Sequence, residues 1–321
     1  MNLIDLTPEG LTSKLAILIV ALVFDMLIGE PPERIHPTVV VGKAVERLRR
    51  IDSKSNARLY GSVLASALVL SAAVLAYILL EMTRTQVGHV AYLVLGGLIL
   101  KTSFAIRSMS LHIRPVREAL EKGDIHSARE TLSKIIRRDT EELDSGLCAS
   151  AAIESIAEGT VDGIISPLFY FFLLGVPGAV AFRAVNTLDS MVGYKYEPYT
   201  KIGWFSAKLD TIANYVPARL TGAIMIAAGA ITGRDWRSSI SILRRDHGLT
   251  ESVNAGWPMS AMAGAIGVQL QKKGSYQLGG QLRLPKYTDI SPALQIMGLT
   301  IIIFLITAAV PCFAITFLFV S

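Results

Sequence analysis

Two uninterrupted apolar stretches limit this chain more than any other feature. Residues 60–80, YGSVLASALVLSAAVLAYILL, and residues 292–320 contain no charged side chain. About 20 such residues in a helix cross the ~30 Å hydrocarbon core of a bilayer. There the backbone must satisfy its hydrogen bonds internally, as helices or closed barrels do. Composition agrees: of 321 residues, 51% are hydrophobic and 18% charged, and the mean hydropathy is positive, which is unusual for a soluble protein. Weaker runs carry polar interruptions: 15–28 holds Asp25, 87–106 holds His89 and Lys101, 164–182 holds Pro167, Gly175 and Pro177, and 216–232 holds Arg219. The expectation is an all-α, polytopic integral membrane protein of roughly four to six transmembrane helices.

The run beginning at residue 15 follows Lys14 but has no small-residue cleavage site after it, so it reads as part of the mature protein. The two cysteines, Cys148 and Cys312, provide neither a disulfide framework nor a cysteine metal site. The net charge of +5 reads as topology. Lys and Arg concentrate in 43–58, 107–138 and 234–286, which favours the cytoplasmic side. No aromatic interleaving accompanies them, so nucleic acid is not an expected partner; the lipid bilayer is.

Between the apolar runs, residues 107–145 are charged, show apolar residues at helical spacing and break at Gly123-Asp124. This predicts an extramembrane amphipathic helical hairpin, with Asp124 capping its second helix. With no repeat or linker, 1–321 reads as one integral membrane domain, with a motif-bearing region at 151–270.

That region opens with IESIAEGTVDGIISPLF, residues 153–169, where Glu154, Glu158 and Asp162 stand four apart. On an α-helix they form one stripe of repelling like charges. A divalent cation or an amine would relieve that repulsion, and a solvated helix face is the plain alternative. Two further clusters follow: Arg183, Asn186 and Asp189 after one apolar run, then Lys208, Asp210, Asn214 and Arg219 before the next. Charged groups at membrane depth are costly unless they face partners or a water-filled cavity, so clusters at span ends mark a functional site. Lys195, Glu197 and Lys201 read as ordinary surface residues. The segment 164–182 is expected to be re-entrant, because Pro167, Gly175 and Pro177 break it and a full crossing would place 183–214 opposite the basic loops.

The succession ESIAEGTVDGIISPLFY, RAVNTLDSMVGYK, GWFSAKLDTIANYVPARL and NAGWPMSAMAGAIGVQL, with the early DMLIGEPPERIHP, resembles the cobalamin-biosynthesis membrane proteins of the CbiB/CobD family, from about residue 25 to 270. The resemblance implies an adenosylcobinamide-phosphate synthase. Such an enzyme condenses adenosylcobyric acid with (R)-1-aminopropan-2-ol or its O-phosphate through an amide bond, with ATP and Mg²⁺. The corrinoid is substrate, not cofactor. On the matching motifs, Glu154, Glu158 and Asp162 become candidate Mg²⁺ ligands or ammonium acceptors, and Asp189 and Asp210 further ligands or bases. Arg183, Lys208 and Arg219 become binders of phosphate or of the corrinoid's side chains. Asn186, Asn214 and Asn254 would orient polar groups; His36 would act as base or donor, or else structure its proline-rich turn, and Trp257 would stack on the corrin, or else be a core or interfacial tryptophan. His89, His112, His126 and His247 lie outside the motifs.

Two positions depart from the family pattern: AEG at 157–159 replaces Ala-Glu-Asn, and SVN at 252–254 replaces Ser-Pro-Asn. ATP has no G-x-x-x-x-G-K-[ST] loop here. The small residues of 254–270 are expected to serve close helix packing. The rival readings are a corrinoid or ion transporter, which predicts inverted hydropathy repeats that are absent, and a non-catalytic membrane sensor from a related branch. A cell-membrane enzyme with a cytoplasm-facing site is the resulting expectation.

Overall fold

In a computed structural model, residues 7–29, 42–43, 56–194 and 199–320 are described; His36, Lys195 and Glu197 lie outside them. The chain is an all-α polytopic membrane protein; among the described residues, five helical stretches are long and apolar enough to cross a bilayer. Contacts organise it as two compact units.

The first unit contains the described parts of 1–105, 166–213 and 308–321. Helix α1 (Pro8–Leu27) starts where Thr7 accepts a hydrogen bond from the Gly10 N–H. It lies against α3 (His89–Lys101), where Gly97 leaves no room for a Cβ beside Val20. The polar interruptions in these two spans are mutual: Lys101 Nζ stands 3.1 Å from Asp25 Oδ1, with both side chains 4% exposed. Helix α2 (Ala57–Gln86) presents Ala65 to Leu188 and Val192, with Leu68, Val69, Met191, Tyr199 and Phe205 around them.

Ser166–Val192 forms α7, interrupted at Gly175, whose φ of 69° and ψ of −164° leave the helix. The rings of Tyr170 and Phe182 stack 5.4 Å apart, although twelve helical residues rise about 18 Å. A Cβ at Gly178 would lie 2.6 Å from the Tyr170 carbonyl oxygen. Pairing centred on residue 175 therefore makes 166–192 a helical hairpin, in agreement with the expected reversal. Short helices α8 (Tyr199–Ile202) and α9 (Trp204–Ala213) complete the unit.

The second unit contains Ile106–Ile165 and Asn214–Thr307. As the periodicity predicts, α4 (Ile106–Glu121) buries Ile113, Val116, Ala119 and Leu120, and α5 (Ile125–Ser133) buries Ala128 and Leu132. Asp124 caps α5 by accepting the Ser127 N–H at 3.0 Å. Helix α6 (Ser145–Thr160) buries Ala152, Ile153, Ile156 and Ala157 completely, then widens into a π turn at Val161–Ile165.

Helices α10 (Tyr215–Ile231), α11 (Trp236–Asp246) and α12 (Gly256–Ile266) pack together. Gly264 sits directly on the Ser238–Ser239 backbone, the close approach that its small size permits. A hairpin, β1 (Leu270–Lys272) and β2 (Tyr276–Leu278), follows. Its end is held by Asp246, which accepts the Gly279 N–H at 2.6 Å. Burial alone would raise the Asp246 carboxyl, but bonds from Arg245 and Gly279 outweigh it and hold it below the usual range. The last helix, α13, runs Ile290–Val320.

Candidate functional site

The acidic stripe falls on α6, and the hairpin is tied down against it. The Gln271 N–H donates to Ser150 Oγ at 2.8 Å, and Ser150 Oγ donates to Glu154 Oε1 at 2.6 Å. Tyr276, on the returning strand, donates its hydroxyl to Glu154 Oε2 at 2.8 Å. Arg138, from the segment after α5, places Nη1 3.3 Å from the same oxygen. Glu154, with its side chain 8% exposed, thus has three donors converging on it, and this arrangement repays its burial. Burial first, then the charge and hydrogen bond of Glu154, push the Tyr276 hydroxyl far above its ordinary pKa, so it stays a donor.

Glu154, Arg138 and Tyr276 line a cavity of about 310 Å³ together with Glu158, Arg137, Glu251 and Lys272. Glu158 is exposed. Glu251 accepts from Lys272 Nζ at 3.4 Å and from Ser275 Oγ at 2.9 Å. Asp162 is not among the lining residues. It lies in the π turn, where the wider winding rotates it out of the four-residue register that the sequence suggests. The expectation of one continuous α-helical stripe is corrected at that position.

Among the described residues no three His, Cys, Asp or Glu side chains form a group that could hold a metal ion. Glu154's oxygens are taken by Ser150, Tyr276 and Arg138, which leaves Glu158 as one carboxylate. The three-acid set does not fit a resident Mg²⁺.

The segment beyond the cavity leads to a second group. Thr250, Glu251 and Ser252 line the cavity, and Asn254, two residues on, accepts from Arg219 Nη1 at 3.3 Å. The Arg219 guanidinium stands 3.4 Å over the Tyr215 ring and 4.8 Å from the Trp257 ring. Arg219, Asn254 and Trp257 are therefore brought together. His247, which lies outside the motifs, joins them with its ring 4.5 Å from Trp257. Asn214 is buried at the start of α10.

Arg183, Asn186, Asp189, Lys208 and Asp210 belong to the first unit. There Arg183 donates to Asn186 at 3.4 Å, and Asn186 donates to Asp210 at 3.4 Å, linking the returning leg of α7 to α9. Asp189 is half-buried on α7; Lys208 and Lys201 are exposed. A separate cavity of about 320 Å³ in this unit, bounded by Lys14, Arg84, His89 and Tyr92, contains none of the sequence candidates.

Sequence reasoning missed Arg138, Tyr276 and Ser150. Ser150 stands one helical turn before Glu154, a spacing that could have revealed it. Arg138 and Tyr276 reach the site only through tertiary folding. At the departures from the family pattern, the Met109 methyl fills the space beside Gly159, and Val253 is exposed.

A family model described as CobD/Cbib protein matches residues 18–316 of this chain. The chain belongs to the CobD/Cbib family. It is 40% identical over 297 residues to a "Probable cobalamin biosynthesis protein CobD" of Methanothermobacter thermautotrophicus, covering 92% of this chain and 97% of that one. A relative of the same printed name in Thermoplasma acidophilum is 39% identical, covering 92% and 96%. The "Cobalamin biosynthesis protein CobD" of Dehalococcoides mccartyi is 38% identical, covering 84% and 88%. No solved structure matches the chain.

Proposed function

We propose that this chain acts in cobalamin biosynthesis as an adenosylcobinamide-phosphate synthase of the cell membrane. In this reading it joins adenosylcobyric acid to (R)-1-aminopropan-2-ol or its O-phosphate in an ATP-dependent amide condensation. Support comes from the family membership and the relatives' printed names. The observation that carries it is the cavity of about 310 Å³ in which Glu154, Glu158, Arg138 and Tyr276 stand together.

A carboxylate is a poor acyl donor, because its charge repels a nucleophile and its leaving group would be oxide. In the reading proposed, a carboxylate oxygen of the corrinoid attacks the terminal phosphoryl group of ATP and ADP leaves. The amine nitrogen then displaces phosphate from the acyl phosphate and forms the amide. The arriving ammonium must first lose a proton, and exposed Glu158 is assigned to accept it. Glu154 is held by Ser150, Tyr276 and Arg138, so it is assigned to keep Arg138 and the hairpin in place. A corrin ring is far too large for a cavity at the small end of ligand pockets, roughly 300–1,000 Å³. Only the reacting arm enters, and Trp257 and Arg219 are candidates to meet the rest.

The test incubates detergent-solubilised protein with adenosylcobyric acid, ATP, Mg²⁺ and either amine, beside Glu158→Gln, and follows the corrinoid product by mass. The expected outcome is a condensed product from the native chain and loss of about 10²-fold or more in rate in the variant. No product with either amine, despite corrinoid binding, would overturn the reading in favour of a transporter or sensor.

A further inference from the structure

The cavity of about 320 Å³ in the first unit has no part in the chemistry proposed above, and its walls are mainly cationic. Lys14 of α1, Arg84 near the end of α2 and His89 at the start of α3 line it, against one carboxylate, Glu9. Arg84 and His89 both stand by Tyr92, itself a lining residue: the guanidinium carbon is 5.8 Å and the imidazole 5.7 Å from the Tyr92 ring. Both are exposed, so an incoming group can reach them. Among the described residues, neither they nor Glu9 form an ion pair. Lys14 is buried, its Nζ donating to the Phe172 carbonyl at 3.5 Å. The first turns of α1 and α3 meet the same space, and Gly88 gives α3 no side-chain cap, so their N–H groups add partial positive charge.

Only residues 87 and 88 separate α2 from α3, and both helices lie in stretches long and apolar enough to cross a bilayer. Their junction is therefore at a membrane boundary, where phospholipid headgroups lie. Val87 and Val90, on either side of Gly88 and His89, are 73% and 74% exposed, which leaves an apolar rim beside the cationic cavity.

We infer that this cavity binds the phosphate headgroup of an anionic phospholipid, with Arg84 and His89 as its donors and Val87 and Val90 against its acyl chains. A guanidinium fork matches phosphate oxygens, and an imidazole donates an N–H in either protonation state. The volume lies at the small end of ligand pockets, which suits a headgroup and leaves the chains outside in the bilayer. Free phosphate offers the same oxyanion; the apolar rim and the position at the boundary favour the lipid. The inference does not depend on the proposed function.

The probes are dioleoylphosphatidylglycerol, dioleoylphosphatidylcholine and inorganic phosphate, each titrated into delipidated full-length protein in detergent, with adducts counted by native mass spectrometry. The expected result is one saturable phosphatidylglycerol adduct, held more tightly than phosphatidylcholine and weakened about fivefold or more in Arg84→Gln. Arg237→Gln removes an exposed charge from α11 in the second unit and is expected to leave that adduct unchanged. Equal retention of the two lipids, or equal weakening by the two substitutions, overturns the inference, because a general lipid shell or net charge would then account for the binding. Saturable binding of inorganic phosphate with no preference between the lipids also overturns it, in favour of a soluble anion. In parallel, phenylglyoxal modification of Arg84 is read by peptide mass. Protection by phosphatidylglycerol and not by phosphatidylcholine supports the site; modification that is unchanged, or slowed equally by both lipids, overturns it whether or not the Arg84 variant folds.

Discussion

Glu154 is the residue at which sequence and structure differ most usefully. In the sequence it is the first of three equivalent acids. In the fold it is the buried one, held by Ser150, Tyr276 and Arg138, while Glu158 remains exposed. Removing its charge strands the Arg138 guanidinium, and breaking one side of a buried pair costs about 3–5 kcal/mol. Glu154→Gln is therefore expected to lower stability by roughly that order, visible as a lower midpoint of thermal unfolding in detergent. Tyr276→Phe removes one hydrogen bond to a charged group, about 1.5–3 kcal/mol. The pH dependence follows from the raised Tyr276 pKa. A group whose folded pKa is raised contributes stability in full below its unfolded pKa, about 10 for tyrosine, and loses it as pH rises through the folded value. Between about pH 9 and 11 Tyr276 stays protonated, so phenolate absorbance should rise by the same amplitude in the native chain and Tyr276→Phe. A smaller amplitude in the variant would show that Tyr276 ionises normally.

At the scale of elements, the polar interruptions in the apolar runs turn out to be structural. Asp25 and Lys101 are each anomalous alone, and their pairing joins α1 to α3. Lys101→Met is expected to cost about 3–5 kcal/mol, because it leaves the Asp25 charge in low dielectric. Adding Asp25→Asn should recover most of that loss, and additive losses in a double-mutant cycle would show that the two do not couple. Gly175 is the second such element. Its φ of 69° and ψ of −164° lie in a region essentially reserved for glycine, where a side chain costs about 1–3 kcal/mol, so Gly175→Ala should destabilise by that order. Gly163→Ala, where nothing lies within 4 Å and no positive φ is involved, should be close to neutral; equal losses would remove the backbone explanation. Helix class, the Gly123-Asp124 break and the reversal near Pro177 were legible in the sequence, because each is set by local propensity. The displacement of Asp162 was not legible, since a π turn widens the helix without a residue signature. Arg138 and Tyr276 were hidden for another reason: 16 and 122 residues separate them from Glu154, and only folding brings them near.

For the whole molecule, the decisive quantity is sidedness. Amide synthesis from ATP requires the cavity to open to the cytoplasm, and the basic segments around residues 107–138 and 234–286 argue for that face. The cavity draws on both stretches, through Arg137 and Arg138 from one and Glu251 and Lys272 from the other. The charge rule and the proposed chemistry therefore make one joint prediction. Lys134 and Lys273 are exposed in the same unit. Single cysteines at Lys134 and Lys273, in a chain freed of Cys148 and Cys312, should react with an impermeant maleimide in inside-out vesicles and stay unlabelled in intact cells. Labelling of both from outside would place the cavity away from ATP and overturn the synthase reading, however well the isolated protein binds a corrinoid. Labelling of one from each side would show that the two segments cannot share a wall, which would overturn the cavity itself.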